Sequence, residues 1–309
     1  LAEAAEIPIA ATILGKSVIS EKHPLYIGLY EGAMGYEDVT NYVEQSDCLL
    51  MFGCFMTDLN MGIWTAELDP SKCISATSEE LRIRHHYYHD VQLHDFLQQL
   101  IDRKPAPPKR EIPGEIRLRQ MPYELKADKP ITITRMIARL NKQIDENTVI
   151  VADIGDALFG ATELVIHGRT EFISPAYYTS MGFAVPATLG AHVARADRRV
   201  VAIVGDGAFQ MTGMELSNVV RQGFCPIVIV LDNGGYGTER FLHAGDYEYN
   251  DIQNWNYAKL PEVLGGGKGY HVRTEGEFND ALNTAWEDTS GLSLIQVAIS
   301  ETDSSEALK

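Results

Sequence analysis

The sequence predicts an α/β fold with two doubly wound parallel-sheet domains. Apolar runs typical of buried strands alternate with segments of helical periodicity along most of the 309 residues. Six of the 13 prolines fall between Pro105 and Pro130, in a charged stretch without a hydrophobic period. Because proline fixes φ and restricts the residue before it, this stretch predicts a linker over residues 105–130. The predicted domains are therefore residues 1–104 and 131–309.

The first domain shows a short alternation of strands and helices. Strands are predicted over 47–53 (DCLLMFG) and 72–77 (KCISAT), and an amphipathic helix over 91–102. No GxGxxG motif follows these strands, so the sequence gives no support to a dinucleotide site here. We interpret this domain as a scaffold.

The second domain shows the alternation more clearly. Gly223 is the predicted C-cap of one helix, and Thr274 with Glu277 is a predicted capping box for another. Strands are predicted over 148–153, 171–174, 199–204, 226–231 and 293–299, the last closing the sheet, and helices over 132–144, 185–195, 214–222 and from the capping box to Trp286.

Charge and hydropathy exclude several classes of function. The 26 Lys and Arg against 43 Asp and Glu give a net charge of −17, which argues against nucleic-acid binding. No apolar run approaches the roughly 20 residues of a membrane span. Four cysteines in apolar strand-like contexts, without a CxxC pair, indicate buried free thiols and a reducing cytoplasm. Because the chain opens on Leu1 rather than Met, we expect a portion of a longer protein.

One strand end carries residues suited to holding a phosphate. After RVVAIV the chain reads Gly205-Asp206-Gly207-Ala208 and then enters a helix. Glycines allow a ligand close to the backbone, and a helix N-terminus offers free N–H groups to phosphate oxygens. An aspartate at such a site repels phosphate unless a divalent cation lies between them, and Mg²⁺ fits this role. A GDG sequence is otherwise compatible with a plain tight turn.

The next strand end completes the predicted cation site. PIVIVL leads into DNGGYG (232–237), and neighbouring parallel strands place the Asn233 amide oxygen and a loop carbonyl beside Asp206. These oxygens with phosphate and water give the octahedral oxygen shell that Mg²⁺ prefers. The pairing of both strand ends favours a cation site over a simple turn.

These segments resemble the thiamine diphosphate-dependent 2-oxo acid decarboxylases, the pyruvate and indolepyruvate decarboxylase family. The resemblance includes the thiamine diphosphate motif, which starts at GDG (205–207) and ends at NGGYG (233–237), and covers nearly the whole chain. It extends through DIGDALFGA (153–161), SMGFAVPATLGAHVA (180–194), GYGTERFLH (235–243) and YNDIQNWNYAKLP (249–261). The segment from HPLYIG through WTAELDP is similar to the family's central domain, which makes residues 1–104 an incomplete central domain and 131–309 the diphosphate-binding domain.

The resemblance implies a set of site residues. Gly207 and Ala208 offer N–H groups to the diphosphate, Met181 wedges the bent cofactor, and the Thr179 carbonyl accepts a hydrogen bond from its amino group. The implied cofactor-binding residues are Asp156, Thr179, Met181, Gly205, Gly207, Ala208 and Tyr236, and the implied Mg²⁺ ligands are Asp206, Asn233 and Gly235 through its carbonyl.

Glu239 matches the catalytic glutamate of the family. The resemblance implies non-oxidative decarboxylation of a 2-oxo acid to an aldehyde, with Glu239 as an acid/base whose pKa is raised in a partly apolar pocket. Leu158, Thr238 and Leu242 match substrate-pocket positions. Leu158 and Thr238 are smaller than the residues of pyruvate-specific members, which favours an aromatic or branched substrate. His243 is placed near the pocket mouth.

Alternatives remain open at this stage. The same residues fit a carboligase of the acyloin or acetolactate type, and a non-catalytic fragment that binds the cofactor. The family's pyrimidine-binding domain, with the glutamate that activates the cofactor, has no counterpart in these residues, so we expect the chain alone to be inactive. The resemblance also implies a cytoplasmic homodimer or homotetramer whose sites form between subunits.

Overall fold

The computed structural model describes residues 1–107, 122–243 and 245–308. The chain divides into two compact units, Leu1–Arg119 and Gln120–Lys309. Most of the linker predicted over 105–130 lies outside the described residues. The domain boundaries predicted on either side of it therefore stay predictions, although the number of units agrees with them.

Within residues 1–107, the described part of the first unit, there are three α-helices and two small sheets. Strands β1 (Ile9–Ala11) and β2 (Tyr26–Leu29) form a parallel pair, and the helices are α1 (Ala2–Ala5), α2 (Glu37–Glu44) and α3 (Leu93–Arg103). Strands β3 (Leu49–Phe52), β4 (Cys73–Ala76), β5 (Glu80–Ile83) and β6 (His86–His89) form a four-stranded sheet in that order. The two strands and the helix predicted from the sequence are confirmed.

The four-stranded sheet is mixed, whereas the sequence predicted a parallel one. Only β3 and β4 are parallel, while β4–β5 and β5–β6 are antiparallel. The connections explain the difference, because three residues join β4 to β5 and two join β5 to β6. A parallel crossover needs a dozen residues or more, whereas a hairpin needs only two. The α/β class itself is confirmed.

The second unit is built on a six-stranded, fully parallel sheet. Its strands are β7 (Thr148–Ala152), β8 (Glu171–Ile173), β9 (Arg199–Gly205), β10 (Ile227–Asp232), β11 (Lys268–Val272) and β12 (Ser293–Ala298), in the order β11-β12-β10-β9-β7-β8. β12 does not close the sheet as predicted, because β11 pairs with its outer side. β11 is an exposed edge strand with the sequence KGYHV, so it lacks the apolar run that marks the central strands.

Helices cover the sheet on both faces. They are α4 (Ile133–Leu140), α5 (Asp156–Thr162), α6 (Ala184–Ala194), α7 (Asp206–Thr212), α8 (Leu216–Gln222), α9 (Gly237–Leu242), α10 (Leu260–Val263) and α11 (Glu275–Glu287). The predicted caps are confirmed: Gly223 has a φ of +68°, and Thr274 with Glu277 forms the capping box of α11.

Central strands of this sheet are buried on both sides. Every residue of β7 and every residue from Val200 to Val204 of β9 is buried, as are Ile227 to Leu231 of β10. Alternate residues of a strand point to opposite faces, so both faces are covered by packed side chains. The carboxyl ends of these strands are consequently held rigidly at one edge, which is where the predicted site residues follow.

Two further sequence predictions are addressed by the structure. All four cysteines are free thiols, but none is fully buried and Cys48 is exposed, so the burial predicted for them is wrong. None of the helices in the described residues combines the length and the apolarity needed to cross a bilayer.

A buried histidine packs beneath the sheet of the second unit. His192 on α6 is 6% exposed, and its ring stacks on Phe224 with centroids 5.0 Å apart. Burial, followed by the charge of Arg199, lowers the pKa of His192 below its ordinary value of 6.5. Below pH 6.5 the unfolded chain therefore binds a proton that the folded chain excludes, so this histidine reduces stability as the pH falls.

We expect His192→Gln to lessen the loss of stability between pH 7.5 and pH 5.5. The neutral amide removes a contribution of at most about 1.4 kcal/mol per pH unit below 6.5. Urea unfolding at both pH values measures the free energy of unfolding, with His271→Gln, at an exposed histidine of β11, as the control. An unchanged pH dependence in His192→Gln would contradict the assignment.

Candidate functional site

Strand register brings the two predicted cation-binding segments together. β9 and β10 are neighbours, and Gly205 at the end of β9 pairs with Leu231 of β10. Asp206 and the 233–235 loop therefore lie side by side at the carboxyl edge of the sheet. Gly205 is the N-cap of α7, and Asp206 is the first residue of that helix. The juxtaposition predicted from the sequence is thus present.

Asp206 is a buried carboxylate stabilised by the backbone around it. It is 1% exposed, and Oδ1 accepts a hydrogen bond from the Gly207 N–H at 2.7 Å. Oδ2 accepts from the N–H groups of Asn233 at 3.1 Å and Gly234 at 2.7 Å. Burial raises the pKa of Asp206 to about 6 despite these donors, and the nearby charge of Asp232 adds to the effect. A cation beside this carboxylate would remove the cost of burying it.

Three oxygen-bearing groups converge beside Asp206. One terminal atom of the Asn233 amide lies 2.8 Å from the Gly235 carbonyl oxygen and 3.3 Å from Oδ1 of Asp206. With its NH₂ in this position, the amide donates to both oxygens. With its oxygen there, three oxygens face one another, which is stable only around a cation. We call these three groups the oxygen cluster.

The donor set of the oxygen cluster fits a hard divalent cation. Carboxylate, amide and carbonyl oxygens are ligands that Mg²⁺ accepts, together with phosphate and water. In the parts of the chain that the structure describes, no group of three or more His, Cys, Asp or Glu side chains is placed to hold a metal ion. The oxygen cluster is therefore the candidate metal centre, and the predicted ligands Asp206, Asn233 and Gly235 fit it.

Gly207 and Tyr236 form the floor next to the oxygen cluster. A Cβ on Gly207 would lie 2.6 Å from Cε1 of the Tyr236 ring, so only glycine allows this approach. The Gly207 N–H is directed to Asp206, and Ala208 is 5% exposed within the same turn. The structure thus brings these predicted cofactor-binding residues to the cation site, while their contact with a diphosphate stays a prediction.

The loop that carries Thr179 and Met181 is fixed against α7. Thr179 has a φ of +56°, a strained conformation for a β-branched residue. Met181 is 39% exposed, as a side chain that contacts a ligand requires. The Gly182 carbonyl accepts a hydrogen bond from the Thr212 hydroxyl at 2.8 Å. The loop therefore lies beside the helix that begins with Asp206.

Asp153 is a site residue that the sequence analysis missed. It follows β7, is fully buried, and accepts hydrogen bonds from the N–H groups of Gly182 at 3.1 Å and Ala184 at 2.7 Å. Burial raises the pKa of this carboxyl above its ordinary value. The sequence contains a signal for this role, because the carboxylate of an aspartate that directly follows a buried apolar strand needs hydrogen-bond donors.

Asp156 lies at the start of α5 and contacts the end of the chain. Its carboxylate accepts a hydrogen bond from the Ser305 N–H at 2.9 Å and another from the Ser305 hydroxyl. Both of these hydrogen bonds are therefore contacts within this chain. Its predicted location near a diphosphate stays a prediction.

Glu239 lies on α9, beyond the oxygen cluster. Its side chain is 50% exposed, and Oε2 lies 3.7 Å from Nε2 of His243 one turn later. The described residues do not form the apolar pocket that was predicted around this carboxyl. Thr238, its neighbour, packs on the loop after β7, since a Cβ on Gly155 would lie 2.9 Å from the threonine hydroxyl.

The predicted substrate-pocket residues differ in exposure, and their common role stays a prediction. Leu158 is fully buried in α5, where it has no surface to offer a ligand, so the role predicted for it is not supported. Leu242 is 61% exposed on α9. A cavity of about 700 Å³ lies beside α9, but Leu158, Thr238 and Leu242 are not among its lining residues, which include Phe241 and Asn250.

Asp232 adds a negative charge beside the oxygen cluster, and a side chain from the neighbouring strand β12 binds its carboxylate. Its carboxylate accepts a hydrogen bond from Nε2 of Gln296 at 2.7 Å. Gln296 is 4% exposed in the middle of β12 and also accepts from the Ala258 N–H at 3.0 Å. The sequence signal for these contacts is the glutamine within the otherwise apolar strand SLIQVA.

Two family descriptions match the chain. "Thiamine pyrophosphate enzyme, central domain" matches residues 1–103, and "Thiamine pyrophosphate enzyme, C-terminal TPP binding domain" matches residues 153–297. The second match begins at Asp153 and contains the oxygen cluster, so the site described above lies within the domain named for binding the cofactor.

Individual relatives agree with these matches. The chain is 32% identical to an indole-3-pyruvate decarboxylase of Azospirillum brasilense, over 97% of this chain and 54% of that protein. It is 30% identical to a pyruvate decarboxylase of Aspergillus fumigatus, over 100% of this chain and 56% of that protein. It is 29% identical to an alpha-keto-acid decarboxylase of Mycolicibacterium paratuberculosis, over 95% of this chain and 53% of that protein. The chain spans about half the length of these relatives. It belongs to the thiamine pyrophosphate enzyme family and contains that family's central domain and C-terminal TPP-binding domain.

Proposed function

We propose that this chain supplies the diphosphate- and Mg²⁺-binding part of a thiamine diphosphate-dependent enzyme that decarboxylates a 2-oxo acid to an aldehyde. The observation that carries the proposal is the convergence of the Asp206 carboxylate, the Asn233 amide and the Gly235 carbonyl. The names of the relatives, all decarboxylases of 2-oxo acids, support the reaction class.

The residues of the chain divide the work between binding and proton transfer. Thiamine diphosphate, when bound, supplies the electron sink for cleavage of the carbon–carbon bond. The oxygen cluster would hold Mg²⁺ against the diphosphate, and Met181 and the Thr179 carbonyl would orient the rest of the cofactor. Glu239, on the helix after the 233–235 loop, would deliver the proton to the carbon that has lost CO₂.

We further propose that the substrate is an aromatic or branched 2-oxo acid rather than pyruvate. Thr238, at the start of α9, supports this because its side chain is small and lies against Gly155. The 32% identity to an indole-3-pyruvate decarboxylase is consistent with a large substrate.

The site also needs surfaces that these residues do not supply. Met181 and Leu242 are exposed apolar side chains, and Glu239 is half exposed. We propose that a pyrimidine-binding domain, of the same or a partner chain, covers them in a cytoplasmic homodimer or homotetramer, and that the chain alone is inactive. The four free thiols fit a reducing compartment.

Cofactor binding by the 309-residue chain tests the metal centre directly. We expect calorimetry to detect thiamine diphosphate binding that requires Mg²⁺. Asp206→Ala should weaken this binding at least about tenfold, since it removes the charged ligand of the cation. Glu239→Gln should leave it unchanged, because Glu239 serves the reaction and not the metal.

The outcome that contradicts the metal assignment is equal binding by the wild type, Asp206→Ala and Glu239→Gln. Circular dichroism of each variant provides the control for folding. Loss of binding only in a correctly folded Asp206→Ala supports the assignment.

Product analysis tests the reaction. With its pyrimidine-binding domain present, we expect the enzyme to release CO₂ and free aldehyde from phenylpyruvate, indolepyruvate or a branched 2-oxo acid. Glu239→Gln should lower this rate about 100-fold or more, the usual contribution of a positioned acid. Accumulation of acyloins in place of aldehydes would identify a carboligase instead.

Thr238→Ile tests the proposed substrate size. The larger side chain should lower kcat/KM for phenylpyruvate relative to pyruvate about tenfold or more, because the added carbon atoms enlarge the side chain at a position proposed to line the substrate pocket. Thr238→Val removes the hydroxyl at nearly constant volume and is the matched control. Equal ratios in the wild type and Thr238→Ile would exclude Thr238 as a determinant of substrate size.

A further inference from the structure

A guanidinium group lies across the 233–235 loop. Nη1 of Arg240 donates to the Asn233 carbonyl at 3.1 Å, and Nη2 donates to the Gly234 carbonyl at 3.1 Å. Nη2 also donates to Oδ1 of Asp251 at 2.6 Å. The side chain of Arg240 is 19% exposed and that of Asp251 is 59% exposed, so the bonds to the two carbonyls are better shielded from water than the ion pair.

Arg240 completes the hydrogen bonding of the loop backbone. The N–H groups of Asn233 and Gly234 are bound by Asp206, and the carbonyls of the same two residues are bound by Arg240. The peptide unit between Asn233 and Gly234 is thereby bound at both its carbonyl and its N–H, and the peptide units on either side of it are each bound at one group. The next carbonyl, that of Gly235, faces the Asn233 amide within the oxygen cluster.

A second segment holds the loop from the other side. The Tyr236 N–H donates to the Asn250 carbonyl at 2.8 Å, and the Ile252 N–H donates to the Gly234 carbonyl at 3.2 Å. Asp251 therefore lies opposite Gly235 in a bridge, within reach of Arg240. A Cβ on Gly235 would lie 2.6 Å from Nη2 of Arg240, so glycine is required for this packing.

Charge and geometry both favour arginine at this position. A guanidinium is a rigid fork that can bind two acceptors at once, whereas a lysine ammonium is a point charge on a flexible stem. Asp251 balances the positive charge, which would otherwise repel a divalent cation at the oxygen cluster. Arg240 also follows Glu239 on α9, so its contacts fix the helix of the proposed acid relative to the loop.

We propose that Arg240 is a positioning residue that, paired with Asp251, holds the 233–235 loop in the conformation that binds the cation and keeps α9 in register with it. This inference rests on the proposed function in one respect, namely that the oxygen cluster binds Mg²⁺. Arg240 touches neither the cation nor the substrate and acts through the loop.

Calorimetric titration of Mg²⁺ into the 309-residue chain with thiamine diphosphate present tests the effect on the metal. Arg240→Met removes the donors at similar length and should weaken Mg²⁺ binding about tenfold or more, as expected when a residue that orients a metal ligand is lost. Asp251→Asn should weaken it in the same direction. Arg221→Met, at an exposed arginine of α8, should have no effect.

Two results would overturn the inference at this step. One is wild-type Mg²⁺ affinity in Arg240→Met. The other is full recovery of affinity in Arg240→Lys, which keeps the charge but not the fork. Melting temperatures are measured alongside, because a merely structural role would lower them without selectively changing the Mg²⁺ affinity.

Hydrogen exchange without metal or cofactor separates this inference from the proposed function. Arg240→Met should lose protection in peptides that cover 233–237 and keep it in β9, while Arg221→Met should match the wild type. If the wild type binds no Mg²⁺, the proposed function fails, and exchange in the 233–237 peptides still decides whether Arg240 holds the loop. Unchanged exchange there overturns the inference.

Discussion

The carboxylate of Asp206 is the constraint on which the site depends. It is buried where β9 meets β10, and its carboxylate accepts hydrogen bonds from the backbone N–H groups of Gly207, Asn233 and Gly234. These donors do not outweigh burial, since the pKa of Asp206 is raised to about 6. Burial therefore makes the charged form of this carboxyl less stable than it is in water, and a nearby cation would stabilise it.

Three adjacent strands end in aspartates, and the fold treats each one differently. Asp153 after β7 is held by N–H groups of the loop that leads into α6, which positions Thr179 and Met181. Asp232 at the end of β10 is held by Gln296. Asp206 lies between them and faces the Asn233 amide and the Gly235 carbonyl. Asp153 and Asp232 are thus bound within the chain, whereas Asp206 holds the 233–235 loop and also faces the other two groups of the oxygen cluster.

The sequence could predict what local pattern and strand order determine. Apolar runs identified β7, β9, β10 and β12, and the rule that parallel strands share one carboxyl edge brought Asp206 and Asn233 together. The sequence could not predict contacts between segments that are far apart in the chain. The bond from Gln296 to Asp232, the Arg240–Asp251 pair and the polar edge strand β11 depend on which segments the tertiary fold makes neighbours. The full burial of Leu158 likewise follows from packing that no motif records.

The exposure of Glu239 follows from how the two parts of the site are built. The oxygen cluster is formed by residues that follow β9 and β10, so a single domain contains it. Glu239 projects from the six-residue helix α9, and half of its side chain is exposed to water. If Glu239 is the acid of the proposed reaction, its desolvation has to come from cofactor, substrate and a second domain closing over α9. Cofactor binding and proton transfer are then separable, with the first belonging to this chain and the second to the assembled site.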